Sequence, residues 1–272
     1  MTLPRVLMAG VLAVIVAGAA AAAVWWFFIR EDAQLATEAP AIPRELQSTP
    51  GAATSTPVSS NGGLAFKIIP SRSEAAYFAD EKLARLPLPS TAKGTTQDIE
   101  GEFYLTADGI SLDSSRPSSF TVNLKTLNSD EDMRDRRVQN QGLETGTYPT
   151  ATFTASSVTG YDPAKPAGEE QTLKLTGIMD LHGVQKELTW DVKARREGNL
   201  ITALATVNFK YEVFNIPVLN IAGIVSVQDN VTLQVQVVAQ AGSWATARSN
   251  ASESSHVGGA GPAREVAARR SS

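Results

Sequence analysis

The chain has 272 residues, a formal net charge of −4, two histidines and no cysteine. That length accommodates one or two domains. The missing cysteines exclude disulfides, thiolate metal sites, a cysteine nucleophile and a lipid anchor carried on cysteine. No basic stripe is present to neutralise phosphates, so no nucleic-acid partner is expected.

In chain order, the first feature is an uncharged run from Val6 to Ile29, bounded by Arg5 and Arg30 and ending in Trp25, Trp26, Phe27 and Phe28. As a helix it would span roughly 36 Å, enough to cross a hydrocarbon core of about 30 Å. Aromatic residues at one end suit the membrane interface. Residues 1–30 therefore read as a signal-anchor and transmembrane helix. A cleaved signal peptide is the competing reading, because Ala19–Ala23 offers small residues to a peptidase. The apolar run continues past those alanines, which favours the anchor. The acidic pair Glu31–Asp32 and the β-rich remainder favour a single-pass cell-membrane protein whose C-terminal bulk is extracytoplasmic, periplasmic or extracellular.

Residues 31–63 carry Pro40, Pro43, Pro50 and Pro57 among Ala, Ser and Thr. They show no periodic apolar face and read as a disordered linker, with an r.m.s. span of roughly 30 Å if flexible. The folded domain is expected over residues 64–241, and residues 242–272 form a polar, disordered C-terminal tail.

Within the domain the dominant signal is alternation with period two, the pattern of antiparallel strands with one wet face. A short helix is expected over part of Glu74–Leu86, ended by Pro87 and Pro89. Ile99, Gly101, Phe103 and Leu105 alternate with polar residues before the Asp108–Gly109 turn. Phe120, Val122 and Leu124 follow on a second strand. A helix is predicted over Asp130–Gln141, capped by Ser129, with acidic residues first and arginines later. Phe153 and Ala155 mark the next strand. Leu173, Leu175, Met179 and Leu181 share one face of a strand, and Leu188, Trp190 and Val192 one face of the next. Gly183 sits in the break between them, where positive φ is expected. Ile201–Phe209 and Val231–Val237 supply two more strands. So many half-buried strands indicate an all-β sandwich or barrel.

Chemistry is sparse. No nucleophile elbow, phosphate-binding glycine loop or HExxH occurs, so no enzyme, metal or cofactor is expected. His182 is the only histidine in the domain. It reads either as a general base or a heme or metal ligand, or as a hairpin residue bonded to nearby backbone. The second reading is favoured because no partner lies at a telling spacing. The Asp130–Arg137 run reads chiefly as a solvated helix face with ion pairs such as Asp130–Arg134, and Arg134–Asp135 could fix the helix against a barrel mouth. The inner wall mixes bulky and small residues, so composition leaves open whether the interior is packed or hollow.

The hairpin Leu175–Val192, LTGIMDLHGVQKELTWDV, resembles the conspicuous Gly–His–Gly–Val block of the YceI-like family, with Gln185 where threonine is usual. Gly94–Phe103, the Arg134–Asp135 pair, the Tyr148–Pro149–Thr150–Ala151–Thr152–Phe153 strand opening and the closing segments Phe209–Ile216 and Val225–Val237 agree in order. Two departures are Leu143–Gly146, where relatives carry an aromatic pair, and the lack of a histidine near Phe66. The resemblance implies a lipocalin-like extended antiparallel β-barrel of about eight strands with one short helix, preceded by the transmembrane helix. It implies a non-enzymatic domain holding a polyisoprenoid or other long-chain amphiphilic lipid, with Phe103, Phe120, Val122, Leu124, Phe153, Leu175, Trp190 and Phe209 as wall residues. A filled-barrel interaction module, an accessory presenting a quinone-like isoprenoid or heme, and a homodimer stay open beside it.

Overall fold

The computed structural model describes residues 33–47, 63–83, 90–221 and 225–241. The anchor expected over residues 1–30 and the tail of residues 242–272 lie outside the described residues. Among the described residues no helix is long and apolar enough to cross a membrane.

The strands, in chain order, are β1 (Leu64–Ile68), β2 (Glu74–Leu83), β3 (Ser90–Thr96), β4 (Ile99–Leu105), β5 (Ser118–Asn123), β6 (Thr150–Thr159), β7 (Gln171–Leu181), β8 (Val184–Glu197), β9 (Leu200–Phe209), β10 (Asn220–Ile221) and β11 (Val225–Ala241). One short helix, α1 (Asp132–Arg137), lies between β5 and β6. All ladders are antiparallel. β1 pairs with both β4 and β11, which closes the sheet on itself. β1 and β2 act as one bent strand, paired along β11. β3 and β4 do the same on the other side. With the two-residue β10 set aside, the wall is a closed eight-stranded barrel. Closure removes the free edges that an open sheet would present.

The alternation fixes the faces. Leu173, Leu175, Met179 and Leu181 of β7 and Leu188, Trp190 and Val192 of β8 all join one interior cluster. At the hairpin, His182 and Gly183 take φ of +53° and +71°, so the glycine stands where an L side chain would be strained. Gly177 has a different reason. A Cβ there would lie 2.2 Å from the Thr154 carbonyl oxygen and 2.7 Å from Phe153 Cζ, so its absence lets the Phe153 ring fold against β7.

The barrel has two unlike ends. At the base, the loop between β4 and β5 folds across the opening. Arg196 of β8 donates to the Gly109 carbonyl at 2.7 Å and lies 5.7 Å from the Phe66 ring centre. The opposite end carries the β7–β8 turn, α1 and the segment 211–219.

Three expectations need correction. Glu74–Leu83 is a strand, not a helix: Ala75, Tyr77 and Ala79 pair with Val235, Leu233 and Val231, and these sheet bonds override a local helical tendency. The second helix is shorter than expected. Glu131, not Ser129, caps it through the Met133 N–H, while Ser129 is bound by Asp135. It continues as one wide turn over Val138–Gly142, where Leu143 N–H donates to the Val138 carbonyl at 2.7 Å. Finally, residues 33–47, expected as free linker, lie along the outside of the barrel. The Ala36 N–H donates to Gln234 Oε1 and the Gln234 amide donates back to the Ala36 carbonyl, each at 2.9 Å. Lacking regular structure is not the same as lacking partners.

Candidate functional site

Every proposed wall residue reaches the interior. Phe120, Val122, Leu124, Phe153, Trp190 and Phe209 are buried in one apolar cluster, and Phe103 and Leu175 pack against it half-buried. Leu124 does so from a short 3-10 turn, Leu124–Thr126, rather than from the strand itself. Phe120, Phe153 and Trp190 form the middle of the barrel. Their ring centres lie 5.5 to 6.2 Å apart, with Trp190 edge-on to both phenyl rings, a favourable arrangement for aromatic quadrupoles. Trp190 sits opposite Leu175 in the β7–β8 register. Its indole N–H meets no acceptor among the described residues, although the residue is only 1 % exposed.

Around these rings several inward-facing side chains are only half-buried. Phe103, Leu105, Leu173, Ala194, Ile201 and Ala203 point inward toward the base yet stay half-buried. Toward the other end, Tyr77, Leu188, Val213 and Leu233 behave alike. Inward-facing apolar side chains of a closed barrel keep accessible area where the interior, or the barrel end beside them, is not packed by the chain's own residues.

Sequence reasoning placed Arg134–Asp135 as fixing the helix at the barrel mouth, but missed what Arg134 meets there. Arg134 Nε donates to Glu81 Oε1 at 3.1 Å and Nη1 to Asp130 at 2.6 Å. Both Arg134 and Glu81 are largely buried. The expected Asp130–Arg134 pair is thus present, but Arg134 chiefly ties α1 to β2. Tyr77 lies close by. Burial pushes its phenol up to about 12, and burial likewise raises that of Tyr211. Both hydroxyls therefore stay protonated through the physiological range. The signal for the missed partner was Glu81, an acid in the inward register of Ala75, Tyr77 and Ala79, hidden by the helical reading of that stretch.

His182 works as a tie at the rim. One ring nitrogen lies 3.2 Å from the Phe214 carbonyl and the other 3.0 Å from Glu144 Oε2, with the Tyr148 ring centre 4.6 Å away. It joins the β7–β8 turn to the 211–216 segment and to the Leu143–Gly146 stretch. Among the described residues no group of three His, Asp or Glu side chains could hold a metal ion.

Comparison with known proteins agrees with this architecture. A model of the YceI-like domain matches residues 66–239. Protein YceI of Escherichia coli O6:H1 is 31 % identical over 107 residues, covering 39 % of this chain and 50 % of that protein. Its counterpart in Salmonella arizonae is 30 % identical over the same length and coverage. The aligned stretch thus spans about half the length of these relatives. Among solved structures, a polyisoprenoid binding domain from Saccharophagus degradans implicated in plant cell wall breakdown superposes with a TM-score of 0.50 at 17 % identity, covering 66 % of this chain and 99 % of that domain.

Proposed function

The chain belongs to the YceI-like domain family, and from that premise we propose that it is a membrane-tethered, extracytoplasmic binding protein. It holds a polyisoprenoid or similar long-chain amphiphilic lipid inside the barrel and catalyses no reaction. The observation that carries this reading is the set of half-buried, inward-facing apolar side chains of a closed barrel, which lie on both sides of the Phe120–Phe153–Trp190 cluster. An apolar chain lying there gains roughly 25 cal/mol per Å² removed from water.

His182, whose ring nitrogens already face Phe214 and Glu144, supports a loop-fixing role over heme ligation. The test is native mass spectrometry of the full chain purified from membranes, with an organic extract analysed in parallel. A co-purifying isoprenoid or amphiphilic lipid, released only by solvent, is expected. A ligand-free protein that also takes up no apolar probe would leave the interaction-module reading in its place. Protease protection in spheroplasts checks the compartment, and cleavage of the barrel without lysis is expected.

A further inference from the structure

The strap of residues 33–47 is built into the barrel rather than resting on it. Ala36 exchanges two hydrogen bonds with Gln234, Lys193 donates to the Thr37 carbonyl, and the Ala39 N–H donates to Glu170 at 2.9 Å. Thr202 donates to the Pro40 carbonyl at 2.6 Å, and Glu45 pairs with Arg72 at 2.7 Å. Thr202 and Gln234 lie in the outward-facing register of β9 and β11, yet are 0 % and 4 % exposed. Leu204, also outward, is buried as well. These residues would face water on an uncovered barrel.

The strap also has a direction. Gln234 pairs with Thr206 in the sheet, and Thr202, four residues nearer the base, receives Pro40. From Pro40 back to Ala36 the chain therefore climbs toward the end that carries α1 and the 211–219 segment. Arg30 lies six positions before Ala36, a reach of at most roughly 20 Å. Two of the exposed large apolar residues, Met133 of α1 and Ile178 near the end of β7, are 63 % and 41 % exposed at or near that same end, and Leu35 of the strap is 45 % exposed.

We propose that the strap clamps the barrel onto the lipid surface with its α1 end toward the bilayer, so that the partner of that end is the membrane itself. This inference rests on the anchored reading of residues 1–30. Its chemistry is short tethering plus exposed apolar side chains placed to meet lipid, and it replaces a freely swinging domain on a long stalk by one fixed face.

The absence of cysteine from the chain makes the test direct. The full chain is reconstituted into phosphatidylcholine–phosphatidylglycerol vesicles with headgroup spin labels. A fluorophore is placed at Met133→Cys or Ile178→Cys near the α1 end, or at Ile110→Cys or Lys165→Cys near the base. A tilted barrel of this strand length stands roughly 35 Å tall, so quenching is expected to be roughly fivefold stronger near the α1 end. In a Gln234→Ala, Thr202→Val variant, checked for an unchanged circular dichroism spectrum, the contrast falls toward parity. Equal or reversed quenching in a vesicle-bound chain overturns the orientation alone. An undiminished contrast in the variant overturns the role of the strap. A chain that does not partition with vesicles overturns the anchored reading and this inference with it.

Discussion

Trp190 concentrates stability in one side chain. It is buried against Phe120 and Phe153, so Trp190→Ala is expected to cost about 3–5 kcal/mol in chemical denaturation. Trp190→Phe keeps most of the packing but removes the N–H. It should cost less in the same denaturation than the alanine variant does. Tyr77 gives a second check. Its phenol, raised to about 12 by burial, ionises near its ordinary value once the chain unfolds. The contribution is fully present below pH 10 and is lost as pH rises from there through 12. Ultraviolet titration should show this tyrosine ionising late, with stability falling across that interval.

α1 is too short to be stable alone, and its placement depends on side chains that reach the barrel. Arg134 spans from Asp130 to Glu81, and Asp135 accepts from the Ser129 backbone and hydroxyl. Arg134→Met leaves Glu81 largely buried without its cation. A loss of about 2–3 kcal/mol is expected, short of the 3–5 seen for fully buried pairs. A double-mutant cycle with Glu81→Gln should recover most of it. His182 acts at the same scale, holding three chain segments at one rim, where a reader of the sequence sees only a turn histidine.

The molecule as a whole closes its sheet through β1 and β11, leaving little backbone unpaired. β3 is the exception: it pairs with β2 but meets the next strand only through the Thr95–Asn128 bridge. Amide exchange should therefore be slowest along β7, β8, β9 and the middle of β11, and markedly faster on the β3 amides that face away from β2. Uniform protection across β3 would show that the neighbouring α1 segment pairs with it in solution.

Which parts were legible in the sequence follows from what is local. Strict alternation in Leu173–Val192 assigned the inner and outer faces of β7 and β8 before any coordinates, because a period of two is a property of the strand itself. Gly183 and Gly109 marked turns for an equally local reason, and both adopt positive φ. The aromatic wall residues followed from the same pattern, and the family block named the barrel. Glu74–Leu83 was misread because two lines of strand pairing, with β11 and β3, decide its conformation, and neither is written in its own residues. Leu204, Leu200 and Val238, apolar residues in the outward register beside Thr202, Thr206 and Asn208, were the local hints that something covers that face. That the cover is residues 33–47, and that Arg134 meets Glu81 across 53 positions, came only from the tertiary structure. Such contacts depend on which distant segments the closed barrel brings together, whereas the sequence by itself determined the strands and the faces they present.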